Sequence, residues 1–214
     1  MPKIMFNNVR ILLETDNKYI QLDDHDDATL RSIWPQLVAK YPGFDVDLCY
    51  HNNTVPHAFL NEIGAELVDD CVQLHLNKSD MKTVAADDVT AVTEANFDAF
   101  ATLHDAKNPD VYWTSSRLRQ EPHGWDILAI ISGNEMIGYA AIRSGWEVYF
   151  LHASNVENML RLLSAAVRRG FTVQTYEREI LYNVDSSELM QLEVAKWLGF
   201  RRTGFYVGYS AKAG

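Results

Sequence analysis

Two tight turns in the second half of the chain dictate a meander. Gly133-Asn134 separates the apolar run 126–132 from 136–143, and Ser144-Gly145 separates that run from 146–152. Turns this short join antiparallel neighbours, so three consecutive strands are expected. The meander runs straight into a helix. Ser154 and Asn155 are good N-caps, and Val156, Met159, Leu160, Leu163, Ala166 and Val167 then share one helical face. Gly170 is expected to stop that helix, with a strand over 171–176, a helix over 186–198 ended by Gly199, and a last strand over 205–209. Before the meander, 89–92 reads as a short strand. Phe97, Phe100 and Leu103 recur at helical spacing, and a second short helix follows over 112–119.

The first 80 residues repeat the later part of this order. A hairpin over 9–13 and 19–22 precedes a helix over 27–40, a strand over 46–50, a helix over 56–63 ended by Gly64, and a strand over 72–76. Laid over each other, Leu22 meets Leu151, Ile33 meets Leu162 and Val38 meets Val167; Phe44 then meets Phe171 and Val46 meets Val173; Ile63-Gly64 meets Leu198-Gly199. The offset changes by small steps that fall in loops, as insertions do. This reads as an internal duplication, a partial copy over 1–80 and a full one over 81–214, with the seam at the polar stretch Asn77-Lys78-Ser79-Asp80. The expected class is α/β (α+β), with a mixed, mostly antiparallel sheet flanked by helices. Whether the copies pack on each other or on a second chain of a homodimer stays open.

Charge narrows the function classes. Nineteen basic residues stand against 29 acidic ones, a net charge of −10, and residues 1–80 alone hold six basic and thirteen acidic groups. Such a surface repels phosphate backbones, so no nucleic-acid partner is expected. The apolar run 127–131 is too short to span a bilayer, and the N-terminal residues break into amides before a signal-peptide core forms. Cys49 and Cys71 have no metal-ligand spacing and read as reduced thiols, which makes the expected location cytoplasmic. His51 and His57 straddle a loop and do not make a metal pair.

The order of elements over 83–212, and the run Trp197-Leu198-Gly199-Phe200-Arg201-Arg202-Thr203-Gly204-Phe205, resemble the GNAT superfamily of acyl-CoA-dependent N-acyltransferases, whose last helix closes on Leu-Gly-Phe. Phe150-Leu151-His152-Ala153 stands where that family's central strand ends. The resemblance implies acetyl transfer from acetyl-CoA to a small-molecule amine, without a metal. It also implies a central strand and its neighbour that splay at a bulge, so that freed backbone N–H groups meet the cosubstrate. It places cosubstrate binding at Phe150, Leu151, His152, Ala153, Ser154 and Asn155, with phosphates at the helix start. Glu147, on the central strand, is the candidate base. Strict alternation puts it on one face with Tyr149 and Leu151.

The sequence departs from the family in two places. The link Ala153-Ser154-Asn155-Val156-Glu157 has neither the glycines nor the basic residue of the family's phosphate motif, and Glu157 adds a negative charge. The equivalent place in the first segment is Asp23-Asp24-His25-Asp26-Asp27, which reads as a solvated helix start that repels phosphate. The family's usual acid, a tyrosine before Leu-Gly-Phe, is Ala195 here and Leu60 in the first segment. Tyr176 and Tyr182 read as packing, Arg168-Arg169 and Arg201-Arg202 as solvated ends, and Ser186-Ser187 lacks a nucleophile setting. A non-catalytic protein on the same fold, binding another small molecule or a protein, is the rival reading.

Overall fold

A computed structural model describes residues 3–82, 84–109, 111–173 and 179–214. In chain order the elements are β1 (Lys3–Phe6), β2 (Val9–Glu14), β3 (Tyr19–Asp23), α1 (Asp27–Lys40), β4 (Asp45–His51), α2 (His57–Glu62), β5 (Glu66–Asn77), β6 (Val89–Ala91), α3 (Phe97–Lys107), α4 (Ser115–Gln120), β7 (Trp125–Ser132), β8 (Glu135–Arg143), β9 (Glu147–Ala153), α5 (Val156–Val173), β10 (Glu179–Asp185), α6 (Leu189–Leu198) and β11 (Arg201–Lys212). The sheet is mixed and mostly antiparallel, as expected; β3–β4 and β9–β10 pair parallel.

The chain forms two compact units. One holds residues up to Val72 together with Gly204–Gly214, and the other holds Gln73–Thr203. These bounds lie elsewhere than the seam read near residue 80, because the end of β11 belongs with the first unit. In the first unit the strand order is β1-β2-β3-β4-β11, with Tyr206–Lys212 antiparallel to Asp45–His51. Its core gathers Ile20, Leu22, Leu30, Leu37, Val46 and Leu48, each at most 1% exposed. α1 starts where Asp26 accepts the Thr29 N–H (2.7 Å). Asp27 pairs with Arg31, and Asp24 accepts the His51 N–H (2.7 Å). The acidic run is a helix start held by local bonds, as the sequence reading has it.

In the second unit the order is β5-β10-β9-β8-β7-β6. α5 packs on one face of its sheet, burying Leu162, Leu163, Ala166 and Val167 completely. Phe97 and Phe100 of α3, with Leu118 of α4, cover the other face.

Two expectations for this unit are corrected. Gly170 does not stop α5; Phe171 to Val173 continue the helix. A Cβ on Gly170 would stand 2.7 Å from the Ile180 side chain and 2.8 Å from the Gly145 carbonyl, so the glycine is there for close packing. The strand read over 171–176 is therefore helical as far as Val173, and 174–178 lie outside the described residues. The strand is β10, further along, so the matches Phe44–Phe171 and Val46–Val173 set the start of β4 against helical residues and are withdrawn.

Gly199 does end its helix. Its φ of +108° is left-handed, and a Cβ there would stand 2.3 Å from the Asp80 carbonyl. Gly199→Ala is expected to cost at least about 1–2 kcal/mol from the backbone alone. A thermal melt followed by circular dichroism checks this; an unchanged midpoint would refute it.

Candidate functional site

The site is built on β8, β9 and β10. Along β8 and β9, Arg143 faces Glu147, Ile142 faces Val148 and Ala141 faces Phe150, so Tyr149 is an extra residue and the register breaks there. This is a β-bulge, which bends the strand and shifts its register with β8. β9 pairs with β10 only through Glu147–Leu181 and Val148–Tyr182, closed by Leu181 N–H to the Trp146 carbonyl (2.8 Å). Past Val148 and Tyr182 the two parallel strands separate. The equivalent pair in the first unit behaves otherwise. β3 and β4 stay in register over five residues, to Asp23–Cys49, and Asp24 N–H then bonds the Cys49 carbonyl (2.8 Å). The second unit has an opened strand pair and the first a closed one.

The bulge also corrects the environment of Glu147. Because Tyr149 is extra, the alternation slips by one residue. Glu147, Phe150 and His152 oppose Arg143, Ala141 and Tyr139, on the face covered by α3 and α4. Val148 and Leu151 oppose Ile142 and Ala140, on the α5 face. Tyr149 remains near Glu147's face, its ring 5.4 Å from that of Trp125. Leu151 does not, so Glu147 has the arginine rather than Leu151 as its neighbour. Glu147 is half-buried.

At the far end of β9, Ser154 N–H donates to the Ile137 carbonyl (3.2 Å), and Asn155 caps α5 by accepting the Asn158 N–H (2.8 Å). Glu157 pairs with Arg161, which also holds Asp88 (2.5 Å each). The added negative charge at the helix start is thus neutralised on the spot. His152 is half-buried, and burial pushes its pKa down, as does the nearby Lys107 ammonium; the Glu188 carboxylate opposes them. Its imidazole is neutral at neutral pH.

A buried network lies beside the site that the sequence reading missed. His104 is completely buried. Its Nε2 lies 2.8 Å from the Trp113 carbonyl, which only accepts, so Nε2 carries the proton. Nδ1 is then an acceptor and takes the Tyr139 O–H (2.8 Å), while the Tyr139 oxygen accepts from Asn108 Nδ2 (2.9 Å). Burial lowers the pKa of His104 and raises that of Tyr139. The buried stripe of α3 is Phe97, Phe100 and His104 rather than Phe97, Phe100 and Leu103. The i, i+3, i+7 spacing carries that signal.

The remaining candidates have structural places. Tyr182 is buried and its hydroxyl donates to Gln191. Ala195 and Leu60 are core residues. Arg201 pairs with Asp80 and Arg169 with Asp126, and the Ser187 hydroxyl bonds Asp185 (2.5 Å). Tyr176 lies outside the described residues. His51 contacts Asp24 (3.3 Å) and His57 contacts Tyr209 (3.5 Å). No cluster of three metal-ligating side chains occurs among the described residues. Both cysteines are free, and burial pushes the Cys49 thiol up to about 12, which makes it inert. No helix is long and apolar enough to cross a membrane among the described residues.

An opened parallel pair beside a bulged central strand, with a meander before it and a helix between, is the GNAT fold. Solved structures agree. A GCN5-related N-acetyltransferase from Kribbella flavida superposes with a TM-score of 0.67 over 100% of this chain and 90% of its own, at 16% identity. A GCN5-related N-acetyltransferase from Sphaerobacter thermophilus gives 0.61 over 95% and 75%, at 13% identity. A tandem GNAT protein from the clavulanic acid biosynthesis pathway gives 0.61 over 96% and 78%, also at 13% identity. No family model and no curated protein sequence matches.

Proposed function

We propose that the chain is a GNAT superfamily member and an acyl-CoA-dependent N-acyltransferase that moves an acetyl group to a small-molecule amine. The observation that carries this is the opening of β9 from β10 at the Tyr149 bulge. Strands that part leave N–H and C=O groups unpaired, and such donors suit both an amide-containing arm and the developing oxyanion of a thioester. The residues along the opening fit that arm: the backbone of Phe150, Leu151, His152 and Ala153 offers its polar groups beside apolar side chains. Ser154 and Asn155 stand where the phosphates would lie. That end fits less well, since it has no glycine and its cap uses one first-turn amide, and weak affinity follows.

Acetyl-CoA supplies the acyl group. The chain's own part is to orient the acceptor, to accept its proton at Glu147, and to hold the carbonyl oxygen with backbone N–H groups. The amine nitrogen bonds to the carbonyl carbon, the C–S bond breaks, and the departing thiolate takes a proton from water because Ala195 offers none. The same reading makes 1–80 a partial copy. Its support is that β2-β3-α1-β4-α2-β5 and β8-β9-α5-β10-α6-β11 share one order, each with an antiparallel and then a parallel pairing.

Calorimetry with acetyl-CoA tests the proposal, with hydrogen exchange to locate the ligand. One site per chain is expected, with protection over 150–155 and none over 23–27. No heat with acetyl-CoA or longer acyl-CoAs would leave the non-catalytic reading, which the glycine-free link favours. Protection over 23–27 would refute the electrostatic argument.

A further inference from the structure

We propose that the acceptor carries a carboxylate as well as its amine, as α-amino acids do, and that Arg143 receives that carboxylate. This rests on the acyltransferase reading and names its substrate class. The Arg143 guanidinium lies 5.0 Å from the ring centre of Trp113, 5.7 Å from that of Tyr149 and 6.0 Å from that of Trp125. It makes no hydrogen bond or ion pair with any described residue. Several other arginines do hold carboxylates. Arg31 holds Asp27 and Glu62, Arg119 holds Glu94 and Asp98, and Arg161 holds Asp88 and Glu157. None of the acidic side chains among the described residues pairs with this half-buried cation.

Aromatic faces stabilise a guanidinium through its π surface but satisfy none of its five N–H donors. Those donors form a planar fork that matches a carboxylate, and three rings stand around it. Trp113 is itself fixed, since its carbonyl takes the His104 Nε2–H. The position is also right for the reaction. Arg143 is the cross-strand partner of Glu147, two residues before the bulge, and both lie on the α3–α4 face. Directly opposed residues on antiparallel strands have Cβ atoms about 5 Å apart. An α-amino acid joins its carboxylate and its amine through one carbon. With the carboxylate on Arg143, the amine is left within reach of Glu147 and the strand opening. The overall charge of −10 draws in the ammonium, and Arg143 orients the anion.

The test compares amino acids with their decarboxylated amines, such as L-phenylalanine with phenethylamine, across a panel of side chains. In the acetyl-transfer assay, Arg143→Met should raise KM for the amino acid about 10- to 100-fold, the loss of a charge-assisted hydrogen-bond pair. It should raise KM for the matched amine far less than for the amino acid, and Arg143→Lys should fall between. A second readout needs no turnover. Trp113 and Trp125 beside Arg143 should report saturable fluorescence changes on titration with the preferred amino acid, absent with its amine and lost in Arg143→Met. Circular dichroism establishes that each variant is folded. Binding without transfer would sink the acyltransferase reading and keep the carboxylate site. Equal responses to acid and amine, a preference that survives in folded Arg143→Met, or no saturable response to any amino acid would overturn the carboxylate site, leaving Arg143 as a stacking support.

Discussion

If the proposed reaction holds, Glu147→Gln is expected to lower acetyl transfer about 100- to 10,000-fold, the usual worth of general-base catalysis, and to leave acetyl-CoA affinity unchanged. An alkylammonium acceptor with a pKa near that of lysine, roughly 10.4, is almost wholly protonated at neutral pH, and nitrogen cannot attack until a proton has left. Glu147 is the carboxylate on β9 itself, two residues before the bulge and directly across from Arg143. Loss of the acid is milder in effect. A CoA thiol is comparable to a free cysteine, with a pKa of roughly 8.5, so its thiolate leaves without help from a tyrosine. In Glu147→Gln the rate should instead climb with the free-amine fraction, about tenfold per pH unit below the amine pKa, because only the free amine present in solution still reacts. Rates measured over a pH series with saturating acetyl-CoA decide the matter. Full rate and an unchanged profile in the variant would remove Glu147 from the mechanism.

The reading of Glu147 shows where sequence reasoning stops. The three meander strands were legible because their turns are local, and α1 was legible because Asp26, Leu30, Ile33 and Leu37 carry both its cap and its stripe. The bulge at Tyr149 was not, since it is a relation between two strands. Strict alternation along Glu147, Tyr149 and Leu151 fails at the residue that makes the site. β10 was missed although Ile180, Tyr182 and Val184 alternate as buried residues. Phe171, Thr172 and Val173 are good strand formers and drew the strand to themselves, while packing of Gly170 against Ile180 carries the helix through them. Arg143 was passed over for a similar reason. Nothing in its neighbours along the chain tells an arginine that holds a carboxylate from one that stands among rings, and Trp113 and Trp125 reach it from other elements.

His104→Leu is expected to destabilise the protein by about 2–6 kcal/mol. The side chains are close in size, so the cost is polar rather than steric. Two buried groups lose a partner: the Trp113 carbonyl, which takes Nε2–H, and the Tyr139 hydroxyl, which donates to Nδ1. Each orphaned buried group costs about 1–3 kcal/mol. Tyr139→Phe removes the hydroxyl that His104→Leu would orphan, so the double variant should be less destabilised than the two single losses added together. Denaturant melts of the four proteins give that coupling, and strict additivity would refute the network.

The same network predicts a pH effect. Protonating His104 puts a hydrogen on Nδ1, against the hydroxyl that donates to it, in a site that burial already makes hostile to charge. The folded-state pKa thus lies below the unfolded value of roughly 6.5. The unfolded chain then binds more protons than the folded one below that pH. His104's contribution to stability is complete above about pH 6.5 and is lost as pH falls through the folded pKa. His152 is lowered as well and acts in the same direction. His104→Leu should therefore weaken the acid dependence without abolishing it. Melts at pH 7.5 and 5 should show the wild type losing more stability than the variant across that interval, and an equal loss would mean that folding does not disfavour protonation of His104.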